Sequence, residues 1–318
     1  MSNIHDNLEV ATTISEAAAS IRKHSYAIYQ VNDHETAHHQ AIQQAWLQAK
    51  EFFATAVSSS STRNDMVQRY QVIHNGHLLG FHEPSEAKLL FRAYCHDCPN
   101  QPWPSPAMQA ASCVVATKLH DILQAVQAEM VSQIAVIATT TNKNEQSSFS
   151  TTRRSGTKRR REEETLSDSN CHDGPSTNVA TTTATTATTT TATNCPLDYF
   201  FYHGPRASKT FVTSNCTPHT DRGYLVAVCL GNHVPGLQVL PATATSGSTT
   251  ADYVCPEEST RHAALYSQAD TACSNRICIL AGDEWRRTDP YTPVQACVHR
   301  VRDDLMAARL SISYELRV

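Results

Sequence analysis

Three side chains in this sequence could hold a metal ion in a form that does chemistry. His219 and Asp221 stand two apart, and residues two apart on an extended chain point to the same face. His299, far downstream, can add a second imidazole. Two imidazoles and one carboxylate on one side of a divalent cation leave its opposite positions open. That set suits non-haem Fe(II), which needs free positions for a cosubstrate and O₂. Alone, His-x-Asp carries little in a chain with 16 histidines. Its surroundings carry more.

The chain reads Pro218-His219-Thr220-Asp221-Arg222-Gly223-Tyr224-Leu225, then Pro235-Gly236-Leu237-Gln238-Val239, Gly282-Asp283, His299-Arg300-Val301 and Arg309-Leu310-Ser311. Arg309 follows His299 by 309 − 299 = 10 residues. This order and spacing resemble the isopenicillin N synthase-like family of Fe(II)/2-oxoglutarate dioxygenases. That family has an HxD pair, a GLQV strand, a distal His in an HRV context and an RxS ten residues beyond it. The resemblance covers about 195–318 well and the N-terminal part loosely. It implies His219, Asp221 and His299 as catalytic metal ligands, with Arg309 and Ser311 on the cosubstrate. It also implies Fe(II), 2-oxoglutarate and ascorbate as cofactors, and O₂ and a small-molecule substrate as partners of a monomer. The implied fold is mainly β with N-terminal helices (α+β), around a double-stranded β-helix, or jelly-roll, core.

The distal carboxylate of 2-oxoglutarate needs a charged planar partner. A guanidinium offers two parallel hydrogen bonds and stays charged. Arg309 suits this, and Ser311, facing the same way, adds a hydroxyl. The competing reading of Arg309 is an exterior salt bridge. One departure stands out. Plant members hold the cosubstrate with a Tyr upstream of HxD, whereas Lys209 to Asn215 contains no tyrosine. Phe211 stands there instead, and Thr213 or Tyr202 are the substitutes. Arg222 is a further anion contact or an outward arginine. His203 and His233 read as ordinary polar or core residues. Tyr202 and Arg287 are polar candidates for the pocket mouth.

The elements that would position these groups follow from periodicity. Apolar residues at helical spacing predict a helix over 7–22, and Tyr26 to Val31 reads as a strand. A second helix is expected over 35–56, a short loop at Ser58 to Ser61, and a long helix over 106–137. From Thr139 to Asn194 large apolar side chains almost vanish. The run Lys158-Arg159-Arg160-Arg161, three glutamates and a Thr/Ala tract take their place. Such a stretch cannot offset the entropy of ordering, so 139–194 is expected to be a disordered insertion between a lead-in, 1–138, and the jelly-roll core, 195–318. In the core, strands are expected at Leu197 to Tyr202, Lys209 to Val212, Tyr224 to Leu230, Gly236 to Leu240 and Ile277 to Ala281. The last strand alternates Arg309, Ser311, Ser313 and Glu315 against Leu310, Ile312, Tyr314 and Leu316.

Charge sums to 26 − 30 = −4, which gives the whole chain no attraction for nucleic acid or anionic membrane. No apolar run reaches the roughly 18 residues of a membrane span. The N-terminus lacks an apolar signal core, so a cytoplasmic protein is expected, with the basic run as a nuclear address or a solvated charge run. The odd count of 11 cysteines fits reduced thiols, and Cys95-His96-Asp97-Cys98 lacks the second ligand pair of a structural zinc. Four functions follow. The first is a dioxygenase acting on a small metabolite. The others are an Fe(II) oxidase not using 2-oxoglutarate, a catalytically weakened jelly-roll binding protein, and a nuclear factor associated with nucleic acid.

Overall fold

The computed structural model describes residues 9–31, 36–96, 98, 100–149, 194–204, 215–230, 234–242, 253–258 and 275–317. The elements run β1 (Val10–Ala11), α1 (Ile14–His24), β2 (Tyr26–Gln30), α2 (Thr36–Ser58), α3 (Ser60–Tyr70), β3 (Val72–His74), β4 (His77–Ser85), β5 (Lys88–Ala93) and α4 (Pro106–Phe149). The core follows with β6 (Leu197–Tyr202), β7 (Cys216–His219), β8 (Leu225–Cys229), β9 (Leu237–Leu240), β10 (Arg276–Ala281), α5 (Glu284–Thr288), β11 (Val298–Val301) and β12 (Arg309–Leu316). The chain divides into two compact units, Met1–Ile134 with Thr191–Val318, and Ala135–Thr190. The described part of the second is the end of α4.

Among the described residues the strands form a large sheet, ordered β1-β2-β10-β8-β12-β6-β5-β4-β3, and a small one, β7-β11-β9. Apart from the parallel β1–β2 pair, the pairings are antiparallel. This is the jelly-roll core with helices that the resemblance implied. The alternation of the central strands explains how both faces of the large sheet are buried. Ile277 and Ile279, Leu225 and Ala227, Leu197 and Tyr199, and Leu310 to Leu316 by twos join the helical residues Ile21, Phe53, Leu119 and Leu123 in one core. On the other face Ile28, Val226, Val228, Cys278 and Leu280 pack with Leu237 and Val239 of the small sheet. A strand covered on both faces reads as an unbroken apolar run, as β8 does.

Local chemistry sets the lead-in. Thr13 and Glu16 form a reciprocal capping box that starts α1, and Ser25 ends it with φ 67°. Asn75 (φ 49°) and Gly76 (φ 77°) make the two-residue turn between β3 and β4.

Several expectations shift. Val10 belongs to a strand beside β2, not to the first helix, which begins at Ile14. The expected loop at Ser58 to Ser61 shrinks to Ser59, which caps α3 by accepting from the Thr62 amide. Helix α4 continues through Phe149, past the expected start of the insertion at Thr139. The rest of that segment, 150–193, and the expected strand Lys209 to Val212 lie outside the described residues. No disulfide joins the described cysteines. No helix is long and apolar enough to cross a membrane, among the described residues.

Candidate metal centre and cosubstrate pocket

The small sheet brings the candidate ligands together. β7 and β11 pair with His299 directly opposite His219, and β11 pairs with β9 on its other side. The two rings lie 4.3 Å apart, centroid to centroid. Asp221 follows β7, with Oδ1 3.8 Å from His219 Nε2 and Oδ2 3.4 Å from His299 Nε2. One ligand atom from each residue falls within 4.8 Å of the others. Two ligands about 2.1 Å from one ion stand no more than about 4.2 Å apart, so a small inward movement closes the set.

The ring nitrogens are already assigned. His219 Nδ1 lies 2.8 Å from the Thr217 carbonyl, and His299 Nδ1 lies 3.2 Å from that of Cys297. Each Nδ1–H donates to a backbone oxygen, which leaves Nε2 as the lone-pair donor, the usual support for a metal-bound imidazole. The ligand loop is tied down as well. Thr220 donates to Asp283 Oδ2 at 2.6 Å, and the Asp283 amide to the Asp221 carbonyl at 2.8 Å. The Gly223 amide donates to Glu315 Oε1 at 2.7 Å. Gly282 is required, because a Cβ there would strike the Gly223 carbonyl. The Gly282-Asp283 turn therefore holds the loop that carries His219 and Asp221 in place.

The electrostatics separate the two imidazoles. A hydrogen bond from its Nδ1–H to the Cys216 sulfur pushes His219 up to about 9 against the effect of burial, with Asp221 adding to the rise. Burial pushes His299 down, and Asp221 opposes it. Without a metal, His219 is the imidazole that carries the proton.

A cavity of about 410 Å³ opens from this cluster and is floored by the inner face of the large sheet. Cross-strand register lays the floor in rows, with Lys88, Tyr202 and Arg309 in one, and Arg92, Asp198 and Ser313 in another. Arg309 is 1 % exposed, which rules out the exterior salt bridge. Ser311 is buried beside it and also lines the cavity. Burial pushes Tyr202 well up, so it remains a neutral hydroxyl. Arg222 lines the cavity, whereas Arg287 does not: it sits on α5, 68 % exposed and paired with Glu284. Phe211, Thr213 and His233 lie outside the described residues.

Sequence reasoning missed Glu257. Its Oε1 accepts from Arg309 Nη1 at 2.8 Å, with both side chains buried. Nothing in Val254-Cys255-Pro256-Glu257-Glu258 marks a core carboxylate. Its depth comes from the bridge Val239 to Val254, which draws this segment onto β9. Lys88 and the bidentate Arg92–Asp198 pair were also missed as cavity residues.

No protein-family model matches the chain, and no curated protein matches it. Solved structures do. A full-length Neurospora crassa protein in complex with alpha-KG and 5-formyluracil aligns with TM-score 0.58 at 12% identity, over 96% of this chain and 78% of that one. A structure assigned to the 2OG-Fe(II) oxygenase family, from Caulobacter crescentus, aligns with TM-score 0.56 at 15% identity, over 97% and 86%. The dioxygenase for auxin oxidation 1 of Arabidopsis thaliana, in its 2-oxoglutarate complex, aligns with TM-score 0.55 at 13% identity, over 96% and 90%. At such identities the likeness concerns architecture, and on that architecture this chain is built as the 2OG-Fe(II) oxygenases are.

Proposed function

We propose that the protein is a non-haem Fe(II)- and 2-oxoglutarate-dependent dioxygenase that oxidises a small organic molecule by hydroxylation, desaturation or demethylation. The observation that carries this reading is the meeting of His219, Asp221 and His299 at the mouth of the cavity, with both Nδ1 atoms engaged behind. His219 and His299 would hold the iron through Nε2, and Asp221 through a carboxylate oxygen. When bound, the iron and 2-oxoglutarate supply the oxidising chemistry, with 2-oxoglutarate converted to succinate and CO₂. The chain supplies position and dryness. Arg309 and Ser311 would receive the distal carboxylate, and Tyr202, in register with Arg309, offers a hydroxyl in place of the absent upstream tyrosine.

The cavity volume lies near the low end of small-molecule pockets, roughly 300–1,000 Å³. It suits a cosubstrate with a compact substrate. Among the similar structures are one bound to 5-formyluracil and one named for auxin oxidation, both in keeping with a compact, planar substrate class. Phe200 on the floor, with the Lys88 Nζ 5.3 Å from its ring centroid, offers a surface for such a molecule. Purified protein given Fe(II), ascorbate and O₂ should turn 2-oxoglutarate into succinate slowly without substrate. Succinate formation no faster than with His299→Ala would count against the reading.

A further inference from the structure

Arg309 is among the largest fully buried side chains, yet its charge is already met. Glu257 Oε1 accepts from its Nη1 at 2.8 Å, and the two side chains are 1 % and 2 % exposed. The other carboxylate oxygen, Oε2, accepts from the Gly236 and Leu237 amides at 2.6 and 3.2 Å. Glu257 cannot swing aside without stranding two buried amides. The second hydrogen of Nη1 goes to the Val234 carbonyl at 2.7 Å. Both Nη1 hydrogens are therefore used, while Nε is buried and has no acceptor among the described residues. The edge these bonds leave uncommitted is Nε–Nη2, whose two parallel N–H bonds match a carboxylate.

We propose that Glu257 is the resident counter-charge of Arg309 and a specificity-determining residue of the cosubstrate pocket. It leaves one edge of the guanidinium open for the distal carboxylate of 2-oxoglutarate while holding the affinity for it down. This rests on the dioxygenase reading above. A carboxylate arriving at Arg309 meets a neutral pair, not a bare cation. Two carboxylates on different edges of one guanidinium repel each other, and at the effective dielectric of a protein interior that is worth on the order of tenfold in affinity. Losing Glu257 would leave a buried cation uncompensated, and an incoming anion would then be the group that satisfies it. A pocket built this way fills as 2-oxoglutarate rises, instead of standing saturated.

The test compares wild type, Glu257→Gln and Glu257→Asp under anaerobic Fe(II). Each is titrated with 2-oxoglutarate and with 2-oxobutyrate, which has the same chelating end but no distal carboxylate, and the visible charge-transfer band is followed. Glu257→Gln should bind 2-oxoglutarate roughly tenfold more tightly and leave 2-oxobutyrate within about twofold. Glu257→Asp should shift in the same direction by roughly two- to threefold. The metal-free Glu257→Gln protein should also melt lower and gain more from added glutarate than wild type does. Unchanged or weaker 2-oxoglutarate binding in the variants, or an equal shift for both acids, overturns the role of Glu257. If Glu257→Gln does not fold, Glu257→Asp decides by the same ratio. No band with either acid in wild type would instead overturn the dioxygenase reading itself.

Discussion

His219 and His299 are direct partners across two antiparallel strands, with rings 4.3 Å apart. A pairing fixed by backbone register places two imidazoles at one point without a loop having to find it. The carboxylate is different, since Asp221 lies past the strand end, on a loop that the Asp283 side chain ties down through Thr220. Asp283→Ala should therefore leave the fold intact while weakening Fe(II) binding about 10- to 100-fold, the usual effect of removing a residue that orients a ligand. Metal titration beside a melting curve measures both. Loss of melting temperature with unchanged metal affinity would contradict this role.

Metal loading should release a proton. His219 is raised from 6.5 to about 9, so the metal-free protein carries it protonated near pH 7. A cation must displace that proton, so apparent affinity should rise about tenfold per pH unit from 7 to 9 and then level off. Any stability that this proton lends the metal-free protein is fully present below pH 6.5 and lost as pH rises through 9. Cys216→Ala removes the main cause of the raised value, so the levelling-off point should move toward lower pH. Metal titrations at several pH values would show it.

Gly236 leaves room for the stem of Arg309. A Cβ there would stand 2.8 Å from Leu305 Cδ2 and 3.0 Å from Arg309 Cδ. Gly236→Ala should displace the guanidinium and weaken 2-oxoglutarate binding several-fold, with Fe(II) affinity unchanged. Separate titrations of metal and cosubstrate would check this, and equal losses in both would argue for general disruption.

Arg92 and Asp198 are joined by two hydrogen bonds of 2.7 and 2.6 Å across β5 and β6. Asp198 is buried and Arg92 largely so. Asp198→Ala leaves the guanidinium uncompensated and should lower stability by about 3 kcal/mol. Replacing both residues by apolar ones of similar size should recover most of that loss. Denaturant unfolding of the single and double variants measures the difference.

Much of this was legible in the sequence where one physical rule acted alone. The two-residue alternation of Arg309 to Leu316 gave both faces of β12 correctly, because a strand between a core and a cavity has no other way to bury its leucines. The His219, Asp221 and His299 set was legible from residue type and order. Helix α3 was hidden because Ser60 to Tyr70 is polar, and Met66 is its one buried residue. Glu257 was hidden for a different reason. Its partner lies 52 residues away, and a carboxylate buried by a long-range bridge has no local signature. Arg287 misled because a charged residue near a turn reads the same whether it lines a cavity or faces water.

The most direct test is anaerobic. Fe(II) and 2-oxoglutarate added to the intact protein should give a weak visible absorption band at one iron per chain. The band should be absent from His219→Ala and should need far more 2-oxoglutarate in Arg309→Met. An intact, folded protein that binds iron but gives no band at any 2-oxoglutarate concentration would contradict the account.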